Sequence, residues 1–333
     1  MQKRVLVTGG CGFIGTHLVK RLLDLGYSVD VVDDMSGANF EFFIETLGTY
    51  RPRILPIGVV GVWEHQREET ETADVVVFEG DFVEPPIIKR IAGNVYDAVV
   101  HLAAEPRVQY GIEYPVSTHQ NNVQKSVELF HICAKTSTRV VFASSAAVYG
   151  NLQGLGPIRE DMPTNPLSPY GLQKLQCEQV ISLFTELYDL SAMTLRFFNV
   201  YGPGQLGTSA YSTAIASWIE KLKNNEPLRL DGDGEQTRDY IHVFDVVNAL
   251  IQSAESGECE ILNIAGGQSK SNNQIISILS LSHNFSITNA PERIGDVKHS
   301  LATTEKAKRV LMFEPTINIE EGIDDLLRGI DGR

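Results

Sequence analysis

A tyrosine and a lysine lie four residues apart in the segment SPYGLQKL. On a helix, Tyr170 and Lys174 would be neighbours one turn apart on the same face. A phenol acts as a base near neutral pH only when nearby positive charge stabilises its anion and so lowers its pKa. Ser145, at the end of VVFASS, can hydrogen-bond both a substrate oxygen and this phenol. The Tyr-Lys spacing alone also fits a surface pair, but the three residues together predict proton transfer at an alcohol.

A glycine-rich segment near the start of the chain indicates where a hydride acceptor would bind. In VTGGCGFIG, Gly9, Gly12 and Gly15 recur every third residue between a predicted strand and a predicted helix. Glycines at such a turn let the backbone approach a pyrophosphate, and the free N–H groups of the helix N-terminus bind it. A plain tight turn would fit this segment equally well. The residues that follow therefore decide between a plain turn and a dinucleotide site.

Acidic residues at the ends of the next two predicted strands favour a dinucleotide site over a plain turn. Asp33 ends VVD, where a carboxylate accepts hydrogen bonds from ribose hydroxyls and repels a 2′-phosphate. The predicted cofactor is therefore NAD rather than NADP. Asp81 in FEGDF fits two roles, contact with the adenine edge or the N-cap of a helix that begins at PPIIKRI.

Composition limits the partners of the chain. Its 333 residues carry a formal net charge of −14, which disfavours nucleic acid and anionic membranes. No apolar run approaches the ~20 residues of a membrane span, and the sequence enters a predicted strand directly after MQKR. The four cysteines lack the paired spacing of a metal site. We therefore expect a cytoplasmic protein with reduced thiols, no metal, and neither nucleic acid nor membrane as a partner.

Strand-like and helical patterns alternate along the first half of the chain and predict a parallel sheet. The fold class is α/β, a Rossmann-type doubly wound parallel sheet with a smaller, discontinuous α/β substrate-binding lobe. The predicted strands are VLVT, VDVV, VVVFE, AVVHLA, VVFASS and SAMTLRFFNV, and the predicted helices are residues 13–26, 85–93, 116–135, 170–189, 210–223 and 243–253.

The sequence also predicts the domain boundaries and the main irregular connections. We expect the NAD-binding domain at 1–190 plus about 237–265, and the substrate lobe at about 191–236 and 266–333. The loop DGDGEQTRD is expected between the last two helices. Residues 40–74 form a connection longer than a doubly wound sheet needs, and a helix plus an irregular excursion is expected there.

The ordered motifs of the chain resemble the extended short-chain dehydrogenase/reductase family, and within it the NAD-dependent nucleotide-sugar epimerases and dehydratases. The similarity is strongest to the UDP-glucose and UDP-N-acetylglucosamine 4-epimerases. The matching segments are VTGGCGFIG, VVDDMS, GDF, HLAAE, NNV, SSAAVYG, SPYGLQKL, RFFNVYGPGQ, DGDGEQTRDYIHVFDVV, LNIAGG and RIGDVKHSLATTEKAK.

The resemblance implies a role for each matching position. The implied cofactor-binding residues are Gly9, Gly12, Phe13, Ile14, Gly15, Asp33, Asp34, Asp81, Phe82, Leu102, Ala103, Ala104, Asn122, Tyr170, Lys174 and Phe197. The implied substrate-binding residues are Ser145, Asn199, Arg238, Arg293, Asp296 and Ser300. Two arginines suit a diphosphate, although surface ion pairing is the alternative for Arg293. Tyr149 is expected to pack near the site rather than serve as a second base.

The implied reaction is epimerisation at C4 of a UDP-sugar through a 4-keto intermediate, with Ser145, Tyr170 and Lys174 as the catalytic group. Other nucleotide-sugar modification is the alternative, namely dehydration, decarboxylation or 4-epimerisation of UDP-glucuronate. Dehydratases and decarboxylases carry acids where this chain has Ala146 and Ala147, which favours epimerisation. A nucleotide-binding regulator without activity is a third possibility. Ser300 is small at the position that gauges the sugar's 2-substituent, which predicts that N-acetylated sugars are accepted.

The chain departs from the family pattern at several positions. Lys125-Ser126 stands where the family often has Gly-Thr, and a lysine that often follows the HLAA-like motif has no match, with Arg107 as a possible substitute. The resemblance also implies a homodimer built from the helices at 116–135 and 170–188. Core packing explains the apolar residues of these helices equally well; they are Val127, Phe130, Val180, Phe184 and Leu187.

Overall fold

The computed structural model describes residues 2–57, 75–152, 156–207, 213–292 and 298–330. The chain forms two compact units, each assembled from separate segments. The first unit contains residues 1–144, 168–195 and 247–261, and the second contains residues 145–167, 196–246 and 262–333.

The strands of the described chain form one large sheet and two small ones. They are β1 (Arg4–Thr8), β2 (Ser28–Asp33), β3 (Arg53–Pro56), β4 (Val75–Glu79), β5 (Ala98–His101), β6 (Arg139–Ser145), β7 (Ala192–Phe197), β8 (Asn199–Tyr201), β9 (Leu228–Asp231), β10 (Thr237–His242), β11 (Ile261–Ile264), β12 (Ser269–Ser271) and β13 (Ile287–Ala290).

The helices of the described chain follow the strands in alternation through the first half. They are α1 (Phe13–Asp24), α2 (Phe40–Leu47), α3 (Pro85–Ala92), α4 (Val108–Glu113), α5 (Pro115–His119), α6 (Lys125–Thr136), α7 (Pro169–Tyr188), α8 (Ala214–Lys223), α9 (Val243–Glu255), α10 (Asn272–Ser280), α11 (Glu305–Leu311) and α12 (Ile319–Ile330).

The large sheet has eight strands in the order β11-β7-β6-β5-β1-β2-β4-β3. The pairings from β3 to β6 are all parallel. Strand β2 is buried over its whole length, as expected for a parallel strand covered on both faces. The strand order reverses between β1 and β5, so the connections that leave the carboxyl ends of these two strands run to opposite sides, at the point where ligands of such sheets bind. The predicted Rossmann-type parallel sheet is confirmed.

The predicted helix at 116–135 is interrupted by a change of helical pitch. Helix α5 passes into a π-helical turn at Gln120–Gln124, and α6 continues from Lys125. A π turn inserts one extra residue per turn and is common at functional sites. Asn122, a predicted cofactor residue, lies within it.

The long connection before β4 contains more regular structure than expected. Helix α2 begins after Asn39, whose side chain accepts a hydrogen bond from the Phe42 N–H at 3.3 Å. Strand β3 then pairs in parallel with β4 and extends the sheet by one strand. The expectation of an irregular excursion is therefore wrong for this part, and residues 58–74 lie outside the described residues.

The second unit holds the two small sheets. In one, β10 pairs in parallel with β8 and antiparallel with β12. In the other, β9 pairs in parallel with β13. The expected loop DGDGEQTRD is wrong at both ends, since β9 extends to Asp231 and β10 begins at Thr237. The expected helix at 210–223 begins at Ala214, capped by the Thr213 hydroxyl, and residues 210–212 lie outside the described residues.

A buried ion cluster is centred on strand β2 of the large sheet. Asp30, in the middle of β2, is fully buried and accepts hydrogen bonds from Arg4 at 2.8 Å, from Arg90 at 2.8 Å and from the Tyr96 hydroxyl at 2.7 Å. Because a buried carboxylate is costly without partners, these contacts tie β1, α3 and the following loop to one strand.

Candidate active site

The glycine-rich turn has no room for side chains. Gly9 adopts a φ of +68°, and a Cβ there would lie 2.9 Å from the Cα of Ala103. A Cβ on Gly15 would lie 2.4 Å from the Gly9 carbonyl oxygen. Gly12 is the N-cap residue of α1 and, as a glycine, provides no side-chain cap for the first N–H groups of the helix. With Phe13 and Ile14 in the first helical turn, the segment leaves N–H donors available for an anion.

Asp33 is fixed at the end of β2, beside this turn. Its carboxylate accepts hydrogen bonds from the N–H groups of Cys11 and Met35, both at 2.9 Å. Burial raises the pKa of Asp33, whereas these two N–H donors lower it. The adjacent Asp34 is exposed and binds Ser36. One oxygen of Asp33 bonds the glycine turn itself, so strand end and turn hold each other in place.

Asp81 follows β4, which pairs with β2. Its carboxylate accepts a hydrogen bond from the Val83 N–H at 3.1 Å and pairs with the ammonium of Lys125. The N-cap of α3 is Glu84, so the alternative role of Asp81 as that N-cap is wrong. The next residue, Phe82, is buried and its ring lies 4.9 Å from the His101 ring.

A chain of hydrogen bonds joins β1, β5 and the π turn behind the glycine segment. The Ser126 hydroxyl donates to the Asn122 carbonyl at 2.8 Å and therefore accepts from Nε2–H of His101 at 2.9 Å. His101 then accepts at Nδ1 from the Thr8 hydroxyl at 2.7 Å. The same Thr8 oxygen accepts from the Ala103 N–H. This chain fixes Leu102, Ala103 and Ala104 as they leave β5, and it was not anticipated from the sequence.

Burial keeps His101 neutral. Its full burial, with a smaller contribution from the positive charge of Lys174, lowers the pKa of His101 to about 3. A neutral imidazole donates at one nitrogen and accepts at the other, which matches its two partners. The HLAAE motif contained the signal for this residue, because a histidine at the end of a buried parallel strand needs two polar partners.

Asn122 holds the loop that follows β5. Its side-chain oxygen accepts from the Glu105 N–H at 2.7 Å, and its amide donates to the Glu105 carbonyl at 3.0 Å and to Gln173 at 2.7 Å. Arg107 forms an ion pair with the Glu105 carboxylate. In the structure, Asn122 therefore stabilises this loop.

Lys174 is held inside the first unit. Its ammonium donates to the Ala143 carbonyl of β6 at 2.7 Å, and its nitrogen lies 4.8 Å from the centre of the Phe142 ring and 5.7 Å from that of the Tyr170 ring. Burial lowers the pKa of Lys174 to about 8, against the negative charge of Glu178, which raises it. The predicted pairing of lysine and tyrosine on one helical face is present in the structure.

Ser145 and Tyr149 follow from the end of β6. Ser145 is the last residue of this strand, and its hydroxyl accepts from the Ala147 N–H at 3.2 Å. Tyr149 is buried, donates to Asn263 at 2.6 Å and accepts from Arg196 at 2.8 Å. Burial raises the pKa of Tyr149 to about 12, so a role as a second base is disfavoured.

The described substrate-binding candidates lie in the second unit. Asn199 donates to the Asp239 carbonyl at 3.2 Å, and Arg238 donates to the Thr237 carbonyl at 2.9 Å. Phe197 is buried at the end of β7. Arg293 and Asp296 lie outside the described residues. Ser300 is half-buried, and its hydroxyl accepts from the Asp239 N–H at 3.3 Å.

The sequence analysis missed Asp239, the residue that orders this region. Its fully buried carboxylate accepts from the N–H groups of Gly266 at 2.8 Å, Gly267 at 3.1 Å and Ala302 at 3.0 Å. Burial raises the pKa of Asp239 to about 7, while these donors lower it. The segment that carries Ser300 is therefore fixed to β10. Burial along β10 does not alternate, and Asp239 stands between Arg238 and Tyr240, so no local pattern in the sequence marked it.

The residues present fit a dinucleotide. The glycine turn is packed too closely for a Cβ at Gly9 or Gly15, the N-cap residue of its helix provides no side-chain cap, and Asp33 supplies the acceptor expected for a ribose. Among the described residues, no group of three potential metal ligands is found, and none of the described helices is long and apolar enough to cross a membrane.

Comparison with known proteins agrees with this geometry. Residues 5–265 match the model of the NAD dependent epimerase/dehydratase family. The chain is 33% identical over 324 residues to a putative UDP-glucose 4-epimerase of Methanocaldococcus jannaschii, covering 96% of this chain and 95% of that one.

Solved structures extend the similarity to the whole fold. The UDP-N-acetylglucosamine 4-epimerase of Methanobrevibacter ruminantium, in complex with UDP-N-acetylmuramic acid, superposes with a TM-score of 0.85 at 32% identity, over 100% of this chain and 99% of that one. The UDP-glucose 4-epimerase of Thermotoga maritima, with UDP-glucose, gives 0.84 at 30% identity, over 98% and 99%.

The packing of the glycine turn generates a prediction. Replacing Gly15 with alanine forces a Cβ against the Gly9 carbonyl, so Gly15→Ala should lower the free energy of unfolding by about 1–3 kcal/mol and reduce NAD affinity at least tenfold. Gly37→Ala is the matched control, because nothing lies within 4 Å of its added Cβ. Urea unfolding and calorimetric NAD titration measure the two effects. Equal behaviour of both variants would contradict the role assigned to the turn.

Proposed function

Because the chain belongs to the NAD-dependent epimerase/dehydratase family, we propose that it epimerises C4 of UDP-sugars through a 4-keto intermediate. The substrates are UDP-glucose and UDP-galactose together with their N-acetylhexosamine forms. One observation carries the proposal: the ammonium of Lys174 is buried on the Ala143 carbonyl, one helical turn from Tyr170 and 5.7 Å from the centre of its ring. A cation in this position is what a catalytic phenolate requires.

Each residue of the catalytic group has a separate role in the proposed reaction. The Tyr170 phenolate takes the proton from the sugar's 4-hydroxyl, and the phenol returns it after the sugar has presented its other face. Lys174 stabilises the anionic form of Tyr170, and the Ser145 hydroxyl donates to the sugar oxygen as it changes between alcohol and ketone. NAD supplies the acceptor and later donor of the hydride. The glycine turn and Asp33 bind the pyrophosphate and ribose of this cofactor.

Nucleotide recognition is assigned to the second unit. Asn199 and Arg238, with Arg293 and Asp296, bind the diphosphate and nucleoside of the substrate, and Ser300 faces the sugar's 2-substituent. The hydrogen bonds from the Ala302 N–H to the Asp239 carboxylate and from the Asp239 N–H to the Ser300 hydroxyl support this assignment, because they fix the backbone that carries Ser300. The proposed NAD-binding domain is residues 1–190 plus about 237–265, and the proposed substrate lobe is residues about 191–236 and 266–333; Ser145 and Arg238 belong to the first by sequence and act on the substrate.

Epimerisation is favoured over elimination by the residues that follow Ser145. Ala146 and Ala147 form one 3₁₀ turn and carry no group that can transfer a proton. Dehydration needs an acid and a base in addition to the tyrosine, and none is present at these two positions.

We propose further that the protein is a cytoplasmic homodimer. On α7, the side chains of Leu183 and Leu187 are 49% and 60% exposed, which supports a helical dimer face. Phe130 is fully buried, and Val127, Val180 and Phe184 pack against the core, so these residues of the predicted face stabilise the fold instead. Light scattering tests the dimer, since a monomeric mass would contradict it, and cell fractionation tests the compartment.

Removal of the phenolic hydroxyl of Tyr170 tests the proposed reaction. Tyr170→Phe should lower kcat for interconversion of UDP-glucose and UDP-galactose by at least a thousandfold, because proton transfer is lost while the ring is kept. Product chromatography measures turnover, and absorbance of reduced cofactor should show no net change in the wild type. Tyr149→Phe is the control and should retain most activity. Steady accumulation of reduced cofactor, or a dehydrated product, would contradict epimerisation.

The lowered pKa of Lys174 predicts a pH dependence. Below about pH 8 the ammonium is charged and favours the phenolate, and above it the amine is neutral and that support is lost. We expect kcat/KM to fall about tenfold per pH unit above pH 8. A profile measured from pH 6 to 10 checks this, and a value that stays constant up to pH 10 would argue against a catalytic charge on Lys174.

The size of Ser300 predicts sugar selectivity. Ser300→Tyr should lower kcat/KM for UDP-N-acetylglucosamine by about tenfold or more and leave UDP-glucose within about threefold, because the large ring narrows the space for the N-acetyl group. Ser300→Ala removes the same hydrogen bond from Asp239 without adding bulk, and should leave both substrates within about threefold. A wild-type enzyme that turns over only UDP-glucose would contradict the assignment.

A further inference from the structure

A buried carboxylate that the proposed reaction does not use lies one helical turn from Lys174. Glu178 is 2% exposed and follows Lys174 by four residues on α7, just as Lys174 follows Tyr170. Residues at this spacing are neighbours on one face of a helix. Tyr170, Lys174 and Glu178 therefore form a row along α7 that consists of a phenol, an ammonium and a carboxylate.

The end of β6 fixes two of these three side chains. The hydroxyl of the buried Ser144 donates to the Glu178 carboxylate. The neighbouring Ala143 carbonyl accepts from the Lys174 ammonium at 2.7 Å. Because a buried carboxylate is costly without partners, the hydrogen bond from Ser144 and the positive charge of Lys174 together stabilise Glu178 at this position. Two successive residues of one strand thus hold two successive turns of one helix.

The charge of Glu178 opposes the effect of burial on Lys174. Burial favours the neutral amine and lowers the pKa of Lys174 to about 8, whereas the negative charge of Glu178 raises it. Without this carboxylate, Lys174 would lose its proton at a lower pH. A neutral amine does not stabilise a phenolate, so the support that Tyr170 receives depends on the residue one turn beyond its own partner.

Other buried titratable groups near Lys174 are neutral at pH 7. Burial lowers the pKa of His101, at the end of β5, to about 3, and raises that of Cys177, on α7, to about 11. Helix α6 also packs against α7, and burial raises the pKa of its Cys133 to about 12. Among the described residues around Lys174, the buried carboxylate is therefore that of Glu178.

The remaining titratable side chains of the neighbouring elements are distant or not buried. Arg139 is at the opposite end of β6 from the Ala143 carbonyl. The π-helical turn that packs against α7 has no titratable side chain. The titratable side chains of α4, α5 and the rest of α6 are exposed or half-buried; they are Tyr110, Glu113, His119, Lys125, Glu128, His131 and Lys135.

We propose that Glu178 is a positioning residue for the catalytic group: its carboxylate, fixed by the Ser144 hydroxyl, keeps Lys174 positively charged beside Tyr170. The inference rests on the proposed function, since it takes the Lys174 ammonium as the support of the phenolate. It goes beyond that function because it assigns the alkaline limit of the reaction to a residue that has no contact with substrate or cofactor in the proposed mechanism.

Titration of Lys174 tests the inference without turnover. The full chain is labelled with lysine that carries ¹³C at Cε, and the NMR signal of Lys174 is assigned by its loss in Lys174→Met. In the wild type this signal should titrate near pH 8. In Glu178→Gln it should titrate at least about one pH unit lower, because a nearby opposite charge shifts a pKa by about one to three units. The amide oxygen of Gln can still accept from Ser144, which favours folding of the variant.

The same variant should change the pH profile of turnover. Glu178→Gln should move the fall of kcat/KM for UDP-glucose to lower pH, in parallel with the Lys174 titration. The expected loss is about fivefold or more at pH 8 and smaller at pH 6, where the amine is still protonated. A purely structural role would instead lower kcat/KM by the same factor at every pH.

Two further variants make the result specific. Glu178→Asp keeps the carboxylate and should leave the titration and the pH profile closer to the wild type than Glu178→Gln does. Glu186→Gln removes the same charge from an exposed position on the same helix, and should leave both unchanged. Circular dichroism confirms that each variant is folded.

Each other outcome overturns a defined claim. A Lys174 titration that is unchanged in Glu178→Gln, or that shifts equally in Glu186→Gln, would overturn the inference. A pH profile of Glu178→Gln that keeps the alkaline limit of the wild type would overturn it too. A wild type that turns over no UDP-sugar would instead overturn the proposed function, and the Lys174 titration would still decide whether Glu178 maintains this charge.

Discussion

The burial of one ammonium against one backbone carbonyl is the interaction on which the candidate site depends. Removing Lys174 from water is costly unless the charge finds a partner, and the Ala143 carbonyl at 2.7 Å supplies it. This bond fixes α7 on the end of β6. Tyr170 is one helical turn from the lysine and Ser145 is two residues beyond the carbonyl, so one contact sets the positions of the elements that carry all three residues.

The buried polar groups behind the site are hydrogen-bonded to one another. Thr8, His101, Ser126 and Asn122 form a chain in which each donor has an acceptor, and this arrangement requires a neutral imidazole. The charge of Lys174 and the burial of His101 both favour that neutral form. These hydrogen bonds connect β1, β5 and the π-helical turn. They therefore also fix the segment after β5, which lies against the glycine turn.

Buried carboxylates serve structure in both units. Asp30 joins β1 and α3 to β2 through two arginines and a tyrosine. Asp239 joins β10 to two loops through three N–H donors. Neither belongs to the reaction, yet each fixes a strand whose end carries residues assigned to ligand binding. Loss of these partners would leave a buried charge unpaired, which is why such networks are sensitive to substitution.

The sequence by itself determined the parallel sheet, the glycine turn with Asp33, and the Tyr170–Lys174 face of one helix, because each depends on local periodicity or on spacing within one element. Only the tertiary structure decided which polar groups are paired. The partners of Asp81, Asp239 and His101 are distant in sequence, and hydrogen bonding between elements depends on how they pack. For the same reason strand β3 was missed: its short run of residues forms a strand only because β4 provides an edge to pair with.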